Sequence, residues 1–149
     1  MEALLLAIEG LAPVRALRTS FYVYPVINAL HVLAVGSLVS TVALMDLRIL
    51  GVIASVPEAL FVRLLRRVAL GAFALAVLTG LLLFAVRARD YAGMPLFWGK
   101  MGLIGLAALN FALFSVLRGA AAKALAALSI VLWLGVLLAG RFLGFVGSG

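Results

Sequence analysis

Apolar residues in this chain are grouped into four long stretches, and polar residues gather in the segments between them. The stretches cover about residues 22–44, 67–86, 97–117 and 123–143, and "MDLRILG" is expected to extend the first helix to Leu50. Roughly 20 apolar residues in a helix cross the hydrocarbon core of a bilayer, so each stretch is long enough to span a membrane. The pattern predicts four transmembrane helices within a single domain over residues 1–149.

The connections between the stretches predict how the helices are arranged. The connections after the second and third stretches are short, and short connections place consecutive helices antiparallel. We therefore expect an all-α, up-down-up-down four-helix bundle. The first connection is longer, and Pro57 begins the segment "PEALFVRLLRR", whose apolar and basic residues lie on opposite sides of a helix. This segment is predicted to be an amphipathic helix at the membrane surface.

The segment of about residues 1–19 has apolar residues at the spacing of one helix face. They are Leu4, Leu5, Ile8, Leu11 and, beyond Pro13, Leu17. The acidic residues Glu2 and Glu9 interrupt this segment, and no basic region precedes it, so it lacks the pattern of a secretory signal. We predict an N-terminal amphipathic helix that lies at the membrane interface.

Composition supports the membrane assignment independently. Apolar residues make up 67% of the chain and charged residues 11%, whereas soluble domains have about 45–50% and about 25%. A soluble chain of 149 residues has too much surface to bury such an excess. The partner of the apolar surface is therefore predicted to be lipid.

The net charge of +7 does not indicate nucleic acid, because most basic residues border the apolar stretches, where lipid headgroups lie. Basic residues are divided equally between the two sides of the predicted bundle. The dense group Arg63, Arg66 and Arg67 favours the cytoplasm for its side. We therefore expect both termini on the opposite, non-cytoplasmic side of the membrane. The chain has no cysteine, which excludes disulfides and thiolate metal sites.

The first stretch carries three polar residues in "YPVINALHVL": Tyr24, Asn28 and His31, the only histidine of the chain. Asn28 and His31 are neighbours on a helix because they are three positions apart. His31 is expected to lie about 13 Å inside the span, at 1.5 Å per residue. Burying an ionisable group in a membrane is costly, so this ladder is a candidate functional site.

Other polar residues are predicted at similar depths from the same membrane face. The helix rise places Thr79 at about 11 Å, Trp133 at about 12–15 Å and Asn110 at about 20 Å, with Ser129 deeper still. His31, Thr79, Trp133 and Asn110 are therefore candidates for one polar layer inside the bundle. Asn110 and Ser115 are expected to form hydrogen bonds across helices.

Three interpretations of His31 stay open at this stage. A neutral, hydrogen-bonded contact between helices is the simplest. Ligation of haem b is the second, because imidazole is a good axial ligand and bundles hold haem between helices. Tyr24, Asn28 and Trp133 would then line the cofactor site. The third is a proton or ion relay.

Lys100 and Arg141 are predicted near the mouth of the same end of the bundle. Each could simply extend to the headgroups, as long basic side chains do. Alternatively, the two side chains form a basic mouth that holds an anion or a small solute. At the other end, Asp46 is expected to form an ion pair with Arg63, Arg66 or Arg67.

Small residues are expected where backbones of neighbouring helices approach closely. The glycines predicted at such contacts are Gly71, Gly80, Gly102, Gly105, Gly135 and Gly140. No paired carboxylates, Ser/His/Asp set or phosphate-binding loop appears in the stretches, so the sequence favours no catalytic activity.

The motifs "YPVINALHVL", "MDLRILG", "LTGLLLF", "FWGKMGLIGLAALN" and "WLGVLLAGR" occur in this order. The ordered set resembles a bacterial family of small four-helix membrane proteins, known only as a domain of unknown function. That family is loosely similar to small haem-b or copper-export membrane proteins. The family pattern has an acidic residue where this chain has Asn28 and a second histidine near Ser115. Both departures argue against a proton relay or a two-histidine metal site here.

The expected function is therefore a non-catalytic one. The chain would work as a homo-oligomer or as a subunit of a larger membrane complex. Electron transfer through haem b at His31 is one hypothesis. Transport of a small solute or ion through the Lys100 and Arg141 mouth is a second, and purely structural assembly is a third.

Overall fold

The computed structural model describes residues 2–114 and 119–146, and the regular secondary structure of this part of the chain is all helical. The helices are α1 (Glu2–Gly10), α2 (Ala12–Thr19), α3 (Val23–Leu50), α4 (Glu58–Val86), α5 (Ala88–Ala92), α6 (Pro95–Phe114) and α7 (Ala120–Val146). Four of them, α3, α4, α6 and α7, are long and apolar enough to cross a membrane. The predicted all-α, four-helix architecture of a multi-pass membrane protein is confirmed. Ser115 and the end of the predicted third stretch lie outside the described residues.

The N-terminal region forms two helices where the sequence predicted one. Leu11 is extended (φ −60°, ψ 136°), and Pro13 lies in the first turn of α2. Proline has no N–H to continue a preceding helix, which accounts for the break. On α1, Glu9 accepts hydrogen bonds from the backbone N–H of Arg89 (2.9 Å) and from its Nε (3.3 Å). The backbone N–H of Arg89 lowers the pKa of Glu9, and these contacts fix α1 to the connection between α4 and α6.

The helices α3 and α4 are both longer than the first two apolar stretches. α3 continues to Leu50 and ends at Gly51, which adopts a left-handed conformation (φ 89°) that suits glycine. α4 begins at Glu58 and runs without a break through the predicted surface segment. No glycine or proline separates that segment from the apolar stretch, so one continuous helix of 29 residues forms.

The four long helices are arranged in a ring in which each neighbour is antiparallel. α3 packs against α4 and α7, and α6 packs against α7. No Cα atom of α4 comes within 8 Å of one of α6 in the described chain. These two helices meet through side chains only: Phe84 stacks on Phe97 at 5.3 Å between ring centroids, and Arg66 lies over Phe111 at 4.8 Å.

The seam between α3 and α4 follows a seven-residue repeat on both helices. Tyr24, His31, Leu38 and Met45 form its α3 side, and Val86, Thr79, Ala72 and Leu65 form its α4 side. Leu38 and Met45 pack with Ala69, Phe73 and Trp133 in the largest apolar cluster. Most large apolar side chains outside this seam are exposed, as the lipid-facing surface of a membrane protein requires.

The glycine predictions are correct at three of the six positions. A methyl group at Gly80, Gly135 or Gly140 would lie within 4 Å of a side chain of another helix. Such a group at Gly71, Gly102 or Gly105 would meet no atom within that distance, so the predicted contacts there are wrong.

Candidate functional site

The single histidine forms the central polar contact between α3 and α4. Nδ1 of His31 lies 2.9 Å from the hydroxyl oxygen of Thr79. His31 is half-buried and Thr79 is buried. The two residues face each other because each lies on the seven-residue seam of its own helix.

The neighbouring hydrogen bond fixes the direction of this contact. The Thr79 hydroxyl has one proton and donates it to the carbonyl oxygen of Leu75 at 2.6 Å. Oγ1 of Thr79 therefore accepts from the imidazole, and we assign the ring hydrogen to Nδ1 of His31. In the neutral ring the lone pair is then on Nε2.

Gly80 makes room for the imidazole on α4. A Cβ atom at this position would lie 3.1 Å from Cε1 and 3.6 Å from Nδ1 of His31. The glycine thus allows the ring to lie directly against the α4 backbone, beside its partner Thr79.

Gly80→Ala should destabilise the folded protein by about 1–2 kcal/mol, because the added methyl overpacks the His31 ring. Gly71→Ala is the matched control, since a methyl there meets no atom within 4 Å on the same helix. Alanine favours the helix equally at both sites, so the difference between the variants reports the contact with His31. Unfolding by SDS in mixed micelles measures it, and equal stabilities would contradict the described packing.

Lys100 lies on the same side of the bundle interior as His31. Its Cε and Nζ lie 3.7 Å from the position of a methyl group at Gly140, so the side chain crosses the face of α7. The residue is half-buried, and it is close enough to His31 for its charge to act on the ring. Within the described residues, no carboxylate forms an ion pair with Lys100.

Three other predicted site residues lie outside the contact between His31 and Thr79: Tyr24, Asn28 and Arg141. Tyr24 packs with Val14 and Leu17 of α2, while Asn28 and Arg141 are exposed. Asn28 is turned about 60° from His31 around the helix, because three residues make slightly less than one turn. The structure therefore turns Lys100 along α7 into the bundle and leaves Asn28 and Arg141 on the surface.

The predicted polar layer is divided between two levels of the bundle. Trp133 packs edge-on against Phe73 in the apolar cluster, with 6.4 Å between ring centroids. Asn110 lies at the other end, where its Nδ2 donates to the Leu125 carbonyl of α7 at 3.1 Å. Ser129 is also on that side and is buried. Of the predicted layer, only Thr79 contacts His31.

Asp46 is a buried polar residue whose environment differs from the one that the sequence predicts. The predicted ion pair with Arg63, Arg66 or Arg67 is wrong: the residue of this turn that forms one is Arg48, with Glu58 at 3.6 Å. Asp46 points into the bundle, is 5% exposed, and lies beside the Ser129 hydroxyl. The available signal was a lone carboxylate in a helix of 28 residues that is otherwise mostly apolar.

A surface cleft of about 350 Å³ lies outside this interior, at the end of the bundle that carries α1 and α2. Its lining includes Arg18, Tyr24, Arg87 and Asp90. The Asp90 carboxylate accepts a hydrogen bond from Arg87 Nε at 2.9 Å and raises the pKa of this guanidinium. This internal ion pair already balances part of the basic charge of the cleft.

Comparison of the chain with protein-family models, with curated proteins and with solved structures gives no match. Functional inference therefore depends on the geometry of this chain alone. That geometry consists of a cationic polar cluster (His31, Thr79 and Lys100) and an acidic polar cluster (Asp46, Asn110 and Ser129). The apolar cluster with Trp133 lies between them.

Proposed function

We propose that the protein transports a small anion across the membrane and binds it inside the bundle between Lys100 and His31. One observation carries this proposal. The Lys100 ammonium lies half-buried against α7, and no carboxylate among the described residues pairs with it. Removing an ammonium from water without a counter-charge is costly, so such a group in a membrane interior favours an anionic ligand.

The neighbouring imidazole adds to the suitability of this site for an anion. His31 is held against α4 by Thr79, and its Nε2 becomes a second hydrogen-bond donor when it takes up a proton. Two basic groups with no acidic ion-pair partner among the described residues resemble the environment that a chloride or a small carboxylate requires. Ligand binding would supply the missing negative charge.

The apolar layer between the two polar clusters supports transport over permanent binding. Leu38 lies about 10 Å along α3 from His31 and about 12 Å from Asp46, at 1.5 Å per residue. It packs with Phe73 and Trp133. A polar site at each end, separated by a dry layer, is the arrangement that alternating access needs.

The test is chloride flux into proteoliposomes that contain the purified chain. Lys100→Gln should reduce the flux about tenfold or more, because losing a hydrogen bond to a charged group costs about 1.5–3 kcal/mol. Lys100→Arg keeps the charge and should keep part of the flux. Acetate serves as a second probe anion.

Arg141→Gln is the matched control, since Arg141 is a basic residue near the same end but is exposed. We expect its flux to stay within about twofold of the unmodified chain, because an exposed charge contributes little. A chain without flux, or equal losses in the Lys100 and Arg141 variants, would refute anion binding by Lys100.

Electron transfer through haem b is a second candidate, favoured by the lone pair on Nε2 of His31. An Nδ1–H group held by a neighbour is the arrangement that orients a metal-bound histidine. The axial ligand would be His31, with no second ligand assigned. A Soret band in purified protein that disappears in His31→Ala would support haem, and a colourless preparation would exclude it.

Assembly as a homo-oligomer or with partner membrane subunits is a third candidate. Asn28 is exposed on α3 at a depth where lipid offers it no hydrogen bond, and a second helix would. Assembly alone predicts stable co-purifying partners and no chloride flux. The bacterial inner membrane and periplasmic termini remain predictions from the sequence.

A further inference from the structure

Two buried side-chain oxygens at the far end of the bundle accept no hydrogen bond from the described residues. Asp46 is 5% exposed, and its Oδ2 is buried without a hydrogen-bond partner. Asn110 is also 5% exposed, and its Oδ1 is in the same situation. Such orphan acceptors are rare in folded proteins, and each one requires an explanation.

Both side chains contact the same part of α7. The Ser129 hydroxyl lies within hydrogen-bonding reach of the Asp46 carboxylate. The Nδ2 group of Asn110 donates to the carbonyl oxygen of Leu125. Leu125 and Ser129 are one turn apart, about 6 Å along the helix. Asp46 of α3 and Asn110 of α6 thus contact consecutive turns of α7, at Ser129 and Leu125.

No described basic residue forms an ion pair with the Asp46 carboxylate. On α3, Arg48 is engaged by Glu58 and by the Val56 carbonyl. On α4, Arg66 is exposed and lies over Phe111, and its neighbours Arg63 and Arg67 are exposed too.

The other two helices also offer Asp46 no counter-charge. On α7, Lys123 is exposed. On α6, Lys100 lies at the opposite end of the bundle, against Gly140. With the described residues as its surroundings, an ionised carboxylate in this position would therefore be buried without compensation, which is strongly unfavourable.

We propose that Asp46 is a proton-binding site, in which the side chain is held as a neutral carboxylic acid between α3 and α7. Uptake transfers one proton from hydronium to the carboxylate and leaves water; release reverses the step. The acid gains a donor that can reach an acceptor such as Asn110 Oδ1, directly or through one water. Ser129 donates to the other carboxyl oxygen.

This inference rests on the proposed anion transport for its physiological meaning. A proton taken up at Asp46 balances the charge of an anion held at Lys100, so the pair can move together without net charge. The ligand class of the Asp46 site is therefore the proton, and the coupled substrate is the conjugate base of a weak acid or a halide.

The test uses infrared difference spectra of the full chain in lipid. The unmodified protein should show the C=O stretch of a protonated carboxylic acid near neutral pH, with a shift in D₂O. Asp46→Asn keeps the shape of the side chain and should remove this band. Asn110→Leu should shift the band because the acid loses an acceptor.

Glu58→Gln is the control, because Glu58 is an exposed acid at the same end of the bundle. It should leave the band unchanged. Three results would overturn the proton assignment: absence of the band near neutral pH, its survival in Asp46→Asn, or its loss when sodium replaces choline in the buffer. The last outcome would identify a sodium site instead.

A flux measurement separates this inference from the transport proposal. In proteoliposomes with a pH-sensitive dye, Asp46→Asn should abolish the proton movement that accompanies chloride. Proton movement that persists in this variant would refute coupling through Asp46. If the carboxylic acid band is present but the protein moves no chloride, the proton site at Asp46 is supported and only the transport function is refuted.

Discussion

Ala126→Leu is expected to destabilise the folded bundle by about 3 kcal/mol, at the upper end of the usual cost of overpacking. Ala126 lies on α7 and is fully buried, with an exposed fraction of 0%. It is next to Leu125, which accepts the Asn110 hydrogen bond. Three added carbon atoms have no space at this point, so α7 must move away from its neighbours.

Ala127→Leu provides the matched control, because Ala127 is the next residue of the same helix and is exposed. A leucine there faces lipid, so its stability should stay within about 0.5 kcal/mol of the unmodified chain. SDS-induced unfolding in mixed micelles, followed by circular dichroism, measures both variants. Equal stabilities would show that α7 does not pack against the bundle through Ala126.

The second large effect is expected for Leu38→Ala, which should cost about 2 kcal/mol. Leu38 is 4% exposed and packs with Met45, Ala69 and Trp133. In water, truncating such a residue costs about 2–5 kcal/mol through lost transfer free energy and through the cavity. In lipid only the packing loss remains, because lipid chains are as apolar as leucine. The expected cost is therefore at the lower end.

Leu33→Ala is the control for this prediction, since Leu33 is on the same helix and is 63% exposed. Its truncation should change stability little in lipid. The same unfolding assay compares the two variants, with tryptophan fluorescence as an added probe because Trp133 lies in the Leu38 cluster. A larger loss for Leu33→Ala than for Leu38→Ala would mean that the α3 faces are assigned the wrong way round.

The interior contacts were only partly predictable. The helix rise correctly placed His31 and Thr79 at similar depths. Depth alone did not reveal which side of the helix each residue faces. Depth therefore groups Asn28 with His31, although Asn28 is exposed. It also places Trp133 in the polar layer, although Trp133 belongs to the apolar cluster.

The acidic cluster was not predictable by the same argument. Asp46 lies near the end of α3, where an aqueous ion pair with the nearby arginines was the natural expectation. The structure confirms the expected extension of α3 to Leu50, and α4 begins at Glu58 without a break before its apolar stretch. Asp46 then faces α7 and Ser129, while the arginines of α4 remain exposed.

The sequence by itself determined the class of this protein. It has four apolar stretches, each long enough to cross a bilayer, and an excess of apolar residues that only contact with lipid can cover. Those properties are sums over many residues, so they do not depend on which helix faces which. The tertiary structure decided the chemistry, because a polar site requires particular side chains to face each other across helices. Rotation and order of the helices put His31 beside Thr79 and turned Lys100 along α7. They also left Asp46 buried beside Ser129 without a counter-charge from the described residues.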